Sequence, residues 1–287
     1  MLTILFDGIA YGMLLFVLAV GLAVTMGLMN FINLAHGAFA MAGGYITVLL
    51  MQRLDVPFLV CLPIAFAGSA LLGAVLERTL YRPLYHKPHL DQVLFSIGLV
   101  FMAVAAVDYY IGSTQQIMQL PQWLKGRTEI GSLGMGHYRL FIIAVCAALT
   151  VGLQYILAKT RFGSRLRAAV DDQRVAAGMG INVNVVFLST FAFGSGLAGL
   201  GGALGAEVLG LDPTFPLKFM IYFLIVVAVG GTSSITGPLL AALLLGIADV
   251  AGKYYIPKMG AFIVYALMIV ILLWRPNGLF VRQGGKS

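Results

Sequence analysis

From Gly8 to Gln52 the chain runs 45 residues without an aspartate, glutamate, lysine or arginine, and the pattern repeats to its far end. Val56–Leu76, Gln92–Val107, Leu140–Ala158, Val175–Ala206, Phe219–Ala248 and Met259–Trp274 are free of the same four residue types. A helix needs about 20 mostly apolar residues to cross the hydrocarbon layer of a bilayer. Seven such runs in 287 residues have no place in a water-soluble domain, so the solvent of this chain is lipid. The runs are long and do not alternate, which excludes a transmembrane barrel, and an open sheet cannot leave its edge unpaired in hydrocarbon. The fold class is therefore all-α: one polytopic transmembrane helical bundle over residues 1–287. The 35 glycines fit that reading, because small residues let membrane helices approach where lipid supplies no hydrophobic drive.

A net charge of +7 raises the question of nucleic acid, and the distribution of charge excludes it. Eleven bases fall in three short stretches: Arg78, Arg82 and Lys87; Lys159, Arg161, Arg165, Arg167 and Arg174; Arg275, Arg282 and Lys286. They face only Glu77, Asp91, Asp171 and Asp172, while the other connections are neutral overall. This is the positive-inside pattern. It predicts a path of about nine spans, N-terminus out and C-terminus in: Gly8–Met29, Gly37–Met51, Val56–Leu76, Val93–Ile111, Leu140–Leu157, Val183–Ala206, Phe219–Val229, Leu239–Val250 and Ala261–Trp274. The second, seventh and eighth are short enough to be partial or broken. Met1–Asp7 carries an acid and no base, unlike the first region of a cleaved signal peptide.

Two polar islands interrupt the apolar background. Asn30, Asn33, His36 and Gly37 belong to the first; Thr232, Ser233, Ser234 and Thr236 belong to the second, which ends at Gly237-Pro238. Irregular backbone at membrane depth is tolerated only where protein or a water-filled cavity covers it. Glycine- or proline-interrupted segments in both halves of a chain point to a translocation pathway or its gate. Each island is otherwise an ordinary turn. Ser164–Met179 has helix-favouring composition, with Val175, Ala176 and Met179 on one side and Arg165, Arg167, Asp171, Asp172 and Arg174 supplying charge. One helix ending at Gly178 and Gly180 is expected there, either docking a soluble partner or lying on anionic lipid. Glu207 and Asp212 flank the sixth span at its outer end, as simple interfacial acids or as an outer mouth. Cys61 and Cys146 sit inside apolar runs and read as packing residues. His86 and His89 read as loop residues. No phosphate-binding loop, nucleophile elbow or metal-ligand spacing occurs, so no catalytic and no metal-binding residue is assigned.

The run Asn30–Tyr45, N-F-I-N-L-A-H-G-A-F-A-M-A-G-G-Y, resembles the signature of LivH-type permeases, the membrane subunits of branched-chain amino acid ABC importers. The likeness continues, in order, through Glu77–Leu84, Arg161–Asn182, Val229–Pro238 and Arg275–Phe280. The resemblance implies a subunit of the bacterial inner membrane with no ATPase of its own and no cofactor. Its implied partners are a LivM-type second permease, two cytoplasmic ABC ATPases that hold ATP and Mg, a periplasmic solute-binding protein, and membrane lipid. Ser164–Gly180 then resembles the coupling element that docks on the ATPase, with Arg165, Arg167, Asp171, Asp172 and Arg174 as polar contacts. Arg167-Ala168-Ala169 departs from the Glu-Ala-Ala of the best-known importers. The implied function is alternating-access uptake of branched-chain amino acids or a related solute. Relatives serving urea, short amides or aromatic acids are alternatives, as is an ion-coupled secondary transporter. The latter calls for an intramembrane acid, and the acids here lie at or near run ends. A structural or lipid-binding membrane subunit is the remaining class.

Overall fold

The computed structural model describes residues 1–29, 31–85, 87–130, 133–231, 234–275 and 278–279. Among these lie eleven α-helices: α1 (Leu2–Met29), α2 (His36–Leu54), α3 (Phe58–Leu76), α4 (His89–Ile111), α5 (His137–Lys159), α6 (Arg161–Asp171), α7 (Gln173–Gly178), α8 (Val183–Leu209), α9 (Phe215–Gly230), α10 (Thr236–Tyr255) and α11 (Gly260–Trp274). Helices α1, α3, α4, α5, α8 and α10 are long and apolar enough to cross a membrane, and α9 and α11 are shorter apolar helices. A helical bundle is thus what the apolar runs build. One small exception to all-α lies in the connection before α5, where β1 (Arg127–Ile130) and β2 (Leu133–Gly136) pair antiparallel, Arg127 opposite Gly136.

Several boundaries differ from the sequence reading, α1 starting at Leu2 rather than Gly8 and α9 at Phe215 rather than Phe219 among them, and two bear on the sites. The single helix expected over Ser164–Met179 is broken at Asp172, whose extended backbone (φ −153°, ψ 109°) ends α6 and starts α7. The cause is local: the Asp172 carboxylate accepts from the amides of Arg174 and Val175 at 2.8 and 3.0 Å, the geometry of a helix N-cap. The span expected to end at Val250 continues to Tyr255. Asp249 stopped the apolar run, yet its side chain is buried in the bundle and paired with Lys253 one turn on at 2.5 Å.

The bundle is inside-out by the standards of a soluble protein. Leu71, Leu94, Met102 and Val151 on α3, α4 and α5 stand exposed, which in water would form apolar patches but suits a lipid solvent. Burial concentrates on α1 and α8. Glycines on α8 make this possible: a Cβ on Gly202 would meet the Ala40 carbonyl oxygen of α2 at 1.8 Å, and one on Gly199 would meet Ser69 Oγ of α3 at 2.0 Å. Reciprocally, a Cβ on Gly21 of α1 or Gly43 of α2 would strike the carbonyl oxygens of Gly194 and Gly199 at 2.4 and 2.1 Å. On the other side of α1, Gly8 and Gly12 meet α10 backbone, with Gly246 against Gly12. Tyr138 closes α5 onto α8 by donating to the Leu204 carbonyl at 2.6 Å.

Gly202→Val should therefore force α2 off α8. Overpacking a tight contact costs about 1–3 kcal/mol or more, so detergent-solubilised variant protein should unfold at lower temperature and lose its monodisperse elution. Gly98→Ala has nothing within 4 Å of the added carbon and should be neutral or gain up to about 1 kcal/mol. Equal melting of the two variants would remove the α2–α8 contact as a determinant of the fold.

Candidate functional site

At one end of the bundle, Lys159 closes α5 and the chain turns into α6. Thr160 caps the turn, accepting the Gly163 amide at 3.4 Å. Gly163 lies hard against α5, where a Cβ would meet the Leu157 carbonyl oxygen at 2.1 Å. Leu166 and Ala169 continue the same buried face at helical spacing. Arg165 and Asp171 project on the opposite, exposed side. Arg167 is exposed as well, but its guanidinium donates to the Leu157 carbonyl and ties α6 to α5. Arg174 is exposed on α7. The apolar residues expected on one face of this segment divide: Ala176 is buried, while Val175 and Met179 are 59% and 74% exposed. The result is a ledge of two short helices that carries exposed charges (Arg165, Asp171, Arg174) and two exposed apolar side chains.

Beneath the ledge opens a cavity of about 460 Å³. Arg167 of α6, Gln154 and Leu157 of α5, Val24 of α1, and Ser234 and Thr236 of the second island contribute to its walls. Ser234 Oγ also accepts the Gly237 amide at 3.3 Å, fixing the start of α10. Gly231 takes a positive φ of 79° at the end of α9, a left-handed conformation that favours glycine. Thr232 and Ser233 lie outside the described residues.

The first island behaves differently. Its connection between α1 and α2 is buried among helices, and its described polar groups are bonded within the chain. Asn33 Oδ1 accepts from the Ala35 amide at 3.1 Å and from the Tyr81 hydroxyl at 3.0 Å. Gln92 Oε1 accepts the Ile32 amide at 3.3 Å, and Ser96 Oγ accepts the Leu34 amide at 3.2 Å. The His36 ring donates through Nε2 to the carbonyl of Leu18, midway along α1, at 2.8 Å, and packs edge-on against Phe223 of α9. Gly37 lies against Pro216. Asn30 lies outside the described residues. Tyr81, Gln92 and Ser96 are the bracing residues that sequence reasoning missed. Gln92 and Ser96, four apart in the otherwise apolar run Gln92–Val107, were the available signal.

The opposite end holds the other acids. Glu207 is exposed and lines a cavity of about 380 Å³ beside the hairpin. Asp212 instead serves the start of α9: its carboxylate accepts the Thr214 amide and hydroxyl at 2.8 and 2.5 Å and pairs with Lys218. Burial alone would raise the Asp212 carboxyl, but Lys218 and Thr214 outweigh it and hold it below its ordinary value. The 380 Å³ cavity shares Asp7, Arg139 and Val208 with a second one of about 340 Å³. Asp249 and Lys253 line that second cavity. Asp249 is the functional candidate the sequence reading passed over, and the Asp-x-x-x-Lys spacing at the end of an apolar run was its only trace. Helices α1, α5 and α10 each reach both this cavity and the one beneath the ledge.

Comparison with known proteins matches residues 4–272 to the family described as the permease component of the branched-chain amino acid transport system. The high-affinity branched-chain amino acid transport system permease protein BraD of Pseudomonas aeruginosa is 29% identical, aligned over 97% of this chain and 95% of its own length. The LivH permease of Escherichia coli is 27% identical over 97% of this chain and 94% of its own. The LivM permease of the same organism is 24% identical over 93% of this chain and 68% of its own. No solved structure matches.

The two neighbouring acids on the ledge should be separable by experiment. Asp172→Ala removes the α7 N-cap, a loss of about 1 kcal/mol, and should speed amide hydrogen exchange across α7. Asp171→Ala should leave that exchange unchanged, because the exposed Asp171 side chain makes no hydrogen bond or ion pair among the described residues. Unchanged exchange in both would remove the capping role assigned to Asp172.

Proposed function

The chain belongs to the family of branched-chain amino acid transport system permease components, and from that premise we propose how it works as the membrane subunit of an ATP-driven importer. It is a multi-pass membrane protein whose family role is passage of solute rather than bond breaking. In this reading it spans the bacterial inner membrane about nine times, N-terminus out and C-terminus in, beside a LivM-type second permease. Two cytoplasmic ATPases dock on the exposed face of the ledge, and a solute-binding protein delivers substrate to the opposite end. The likeness of the chain to both LivH and LivM supports a pair built from two related permeases.

The single observation that carries the coupling role is the ledge itself. Arg165, Asp171 and Arg174 stand exposed on the same two short helices as the exposed Val175 and Met179, and charge beside apolar surface is what a protein interface uses. The ledge is fastened to α5 through Gly163 and Arg167, so a push on α6 and α7 reaches the end of a long rigid helix. Helices α1, α5 and α10 carry that displacement to the opposite cavity. Alternating access then follows from rocking these helices against the partner permease. Ser234 and Thr236, with Arg167, form the inner mouth. Asn33 and His36 brace the wall of the route from within, and Asn30, Gly37, Thr232 and Ser233 complete the two islands of the gate. Glu207 lies at the outer mouth, and Asp212 shapes that mouth by fixing α9.

Arg165→Glu combined with Arg174→Glu should lower leucine uptake and substrate-stimulated ATP hydrolysis by roughly tenfold or more, as loss of interface charge pairs does, with the bundle still monodisperse. Normal uptake and hydrolysis in that variant would remove the ledge as the coupling element. Orientation has its own check. A cysteine at Gln119 should react with a membrane-impermeant thiol reagent on intact spheroplasts, while one at Gln173 should react only after lysis. The reverse pattern would put the ledge on the wrong face.

A further inference from the structure

Glu77 is an acid buried to 2% exposure where α3 ends, while Arg78 and Arg82 beside it are exposed. A carboxyl group so placed calls for a polar partner. That partner is Tyr85, whose hydroxyl donates to Glu77 Oε1 at 2.8 Å. Backbone geometry brings the segment inward. Ala65, Ser69, Gly73, Glu77 and Tyr81 form a buried stripe at intervals of four, and on an α-helix such a stripe drifts by about 40° at each step. Over Glu77–Tyr81 the helix widens to a π turn, and the Arg82 amide donates to the Glu77 carbonyl five residues back. A π turn takes more residues than an α turn and halts the drift, so Tyr81 faces inward with Glu77.

The two tyrosines bracket the first island. Each ring meets Phe31 edge-on with centroids 5.5 Å apart, and the Tyr81 hydroxyl also holds Asn33. The same two rings pack against α8, Tyr85 on Phe187 at 5.8 Å and Tyr81 on Phe191 at 4.7 Å. Helix α8 is the one that leaves the ledge, starting at Val183 with Asn182 as its cap. Phe187 and Phe191 lie in its first turns. An unbroken set of ring contacts therefore runs from the ledge side of α8, through Tyr85 and Tyr81, to Phe31 and Asn33. Tyr81 is fully enclosed by its surroundings. Tyr85 is only half-buried, and the bond to Glu77 fixes its ring between Phe31 and Phe187.

We propose that Glu77 and Tyr85 are the positioning pair of an aromatic joint that carries displacement of α8 to the first island, a second route from ledge to gate beside α1, α5 and α10. Neither residue meets the solute in this account. Glu77 acts as a hydrogen-bond acceptor that holds Tyr85, and Tyr85 holds Phe31 to α8. Packed rings transmit a shift because a close-packed contact resists deformation. The inference rests on the importer reading above and adds to it the residues that keep ATP hydrolysis and passage in step.

The test uses the full complex with both permeases, both ATPases and the binding protein in vesicles, and reads the ratio of ATP hydrolysed to leucine taken up. Tyr85→Phe keeps the ring and removes only the donor; it should raise that ratio about tenfold, the factor that loss of one hydrogen bond to a charged group predicts. Glu77→Leu should do the same, and the double variant should be no worse than either single one. Glu77→Gln keeps an acceptor oxygen and should stay within about twofold of the unaltered complex. A purely structural role would lower uptake and hydrolysis together and leave the ratio unmoved, which would overturn the proposal. An unaltered ratio in Tyr85→Phe, or Glu77→Gln as poor as Glu77→Leu, would overturn it too, with the importer reading intact. Absence of ATP-driven uptake in the unaltered complex would count against the importer reading instead. The pair is then judged by amide hydrogen exchange over Phe31–His36, which must quicken in Tyr85→Phe and not in Glu77→Gln; any other pattern there removes Glu77 and Tyr85 as its positioning pair.

Discussion

Backbone-to-backbone contact along α8 is the constraint on which the rest of this structure depends. Gly194, Gly199 and Gly202 let α1, α2 and α3 approach until carbonyl oxygens and glycine carbons touch. In lipid there is no hydrophobic force between helices, so van der Waals packing of this kind must hold the bundle. Its consequence is positional. With α1 and α2 both pressed onto α8, the connection between them is drawn inward until His36 reaches the carbonyl of Leu18. A single Cβ at Gly21 would meet both the Gly194 carbonyl and the His36 ring, so the same close approach fixes the helices and the buried connection.

Polar groups at this depth divide into two kinds. Those of the first island are bonded to Tyr81, Gln92, Ser96 and α1 backbone, which meets the requirement that irregular backbone in a membrane be covered by protein. Such groups brace a wall. The Asp249 and Asp7 carboxylates are instead held in ion pairs with Lys253 and Arg139, and Tyr222 also reaches Asp249. A sequence reading that found acids only near run ends had no means to separate these cases, because apolar runs record where charges stop and not how far a helix continues past them. Asp249 lies within α10, a turn and a half before its end.

The two ends of the molecule are built differently. One presents an exposed ledge fastened to α5 by Gly163 and Arg167, and the other encloses ion pairs in cavities beside the hairpin. The same three long helices line a cavity at each end. A rigid helix cannot shift at one end alone, so this arrangement supplies a mechanical link between the ends with no need of a chain of side-chain rearrangements. Membership in a transport-permease family gives that link its purpose.

Sequence by itself determined the class of fold, because apolar runs of bilayer length leave a chain few choices once every backbone group must be bonded internally. It also marked both polar islands, the charged amphipathic segment and the family, since each is a local pattern of residue types. Tertiary structure decided what those patterns are used for. Asp172 caps α7 rather than standing free; Arg167 bonds α5; Val175 and Met179 face outward; and the short hairpin before α5 carries no period long enough to read. It alone brought Asp7, Arg139, Asp249 and Lys253 to one cavity. These four residues come from three helices scattered along nearly the whole chain, and only the packing of α1, α5 and α10 places their charges together.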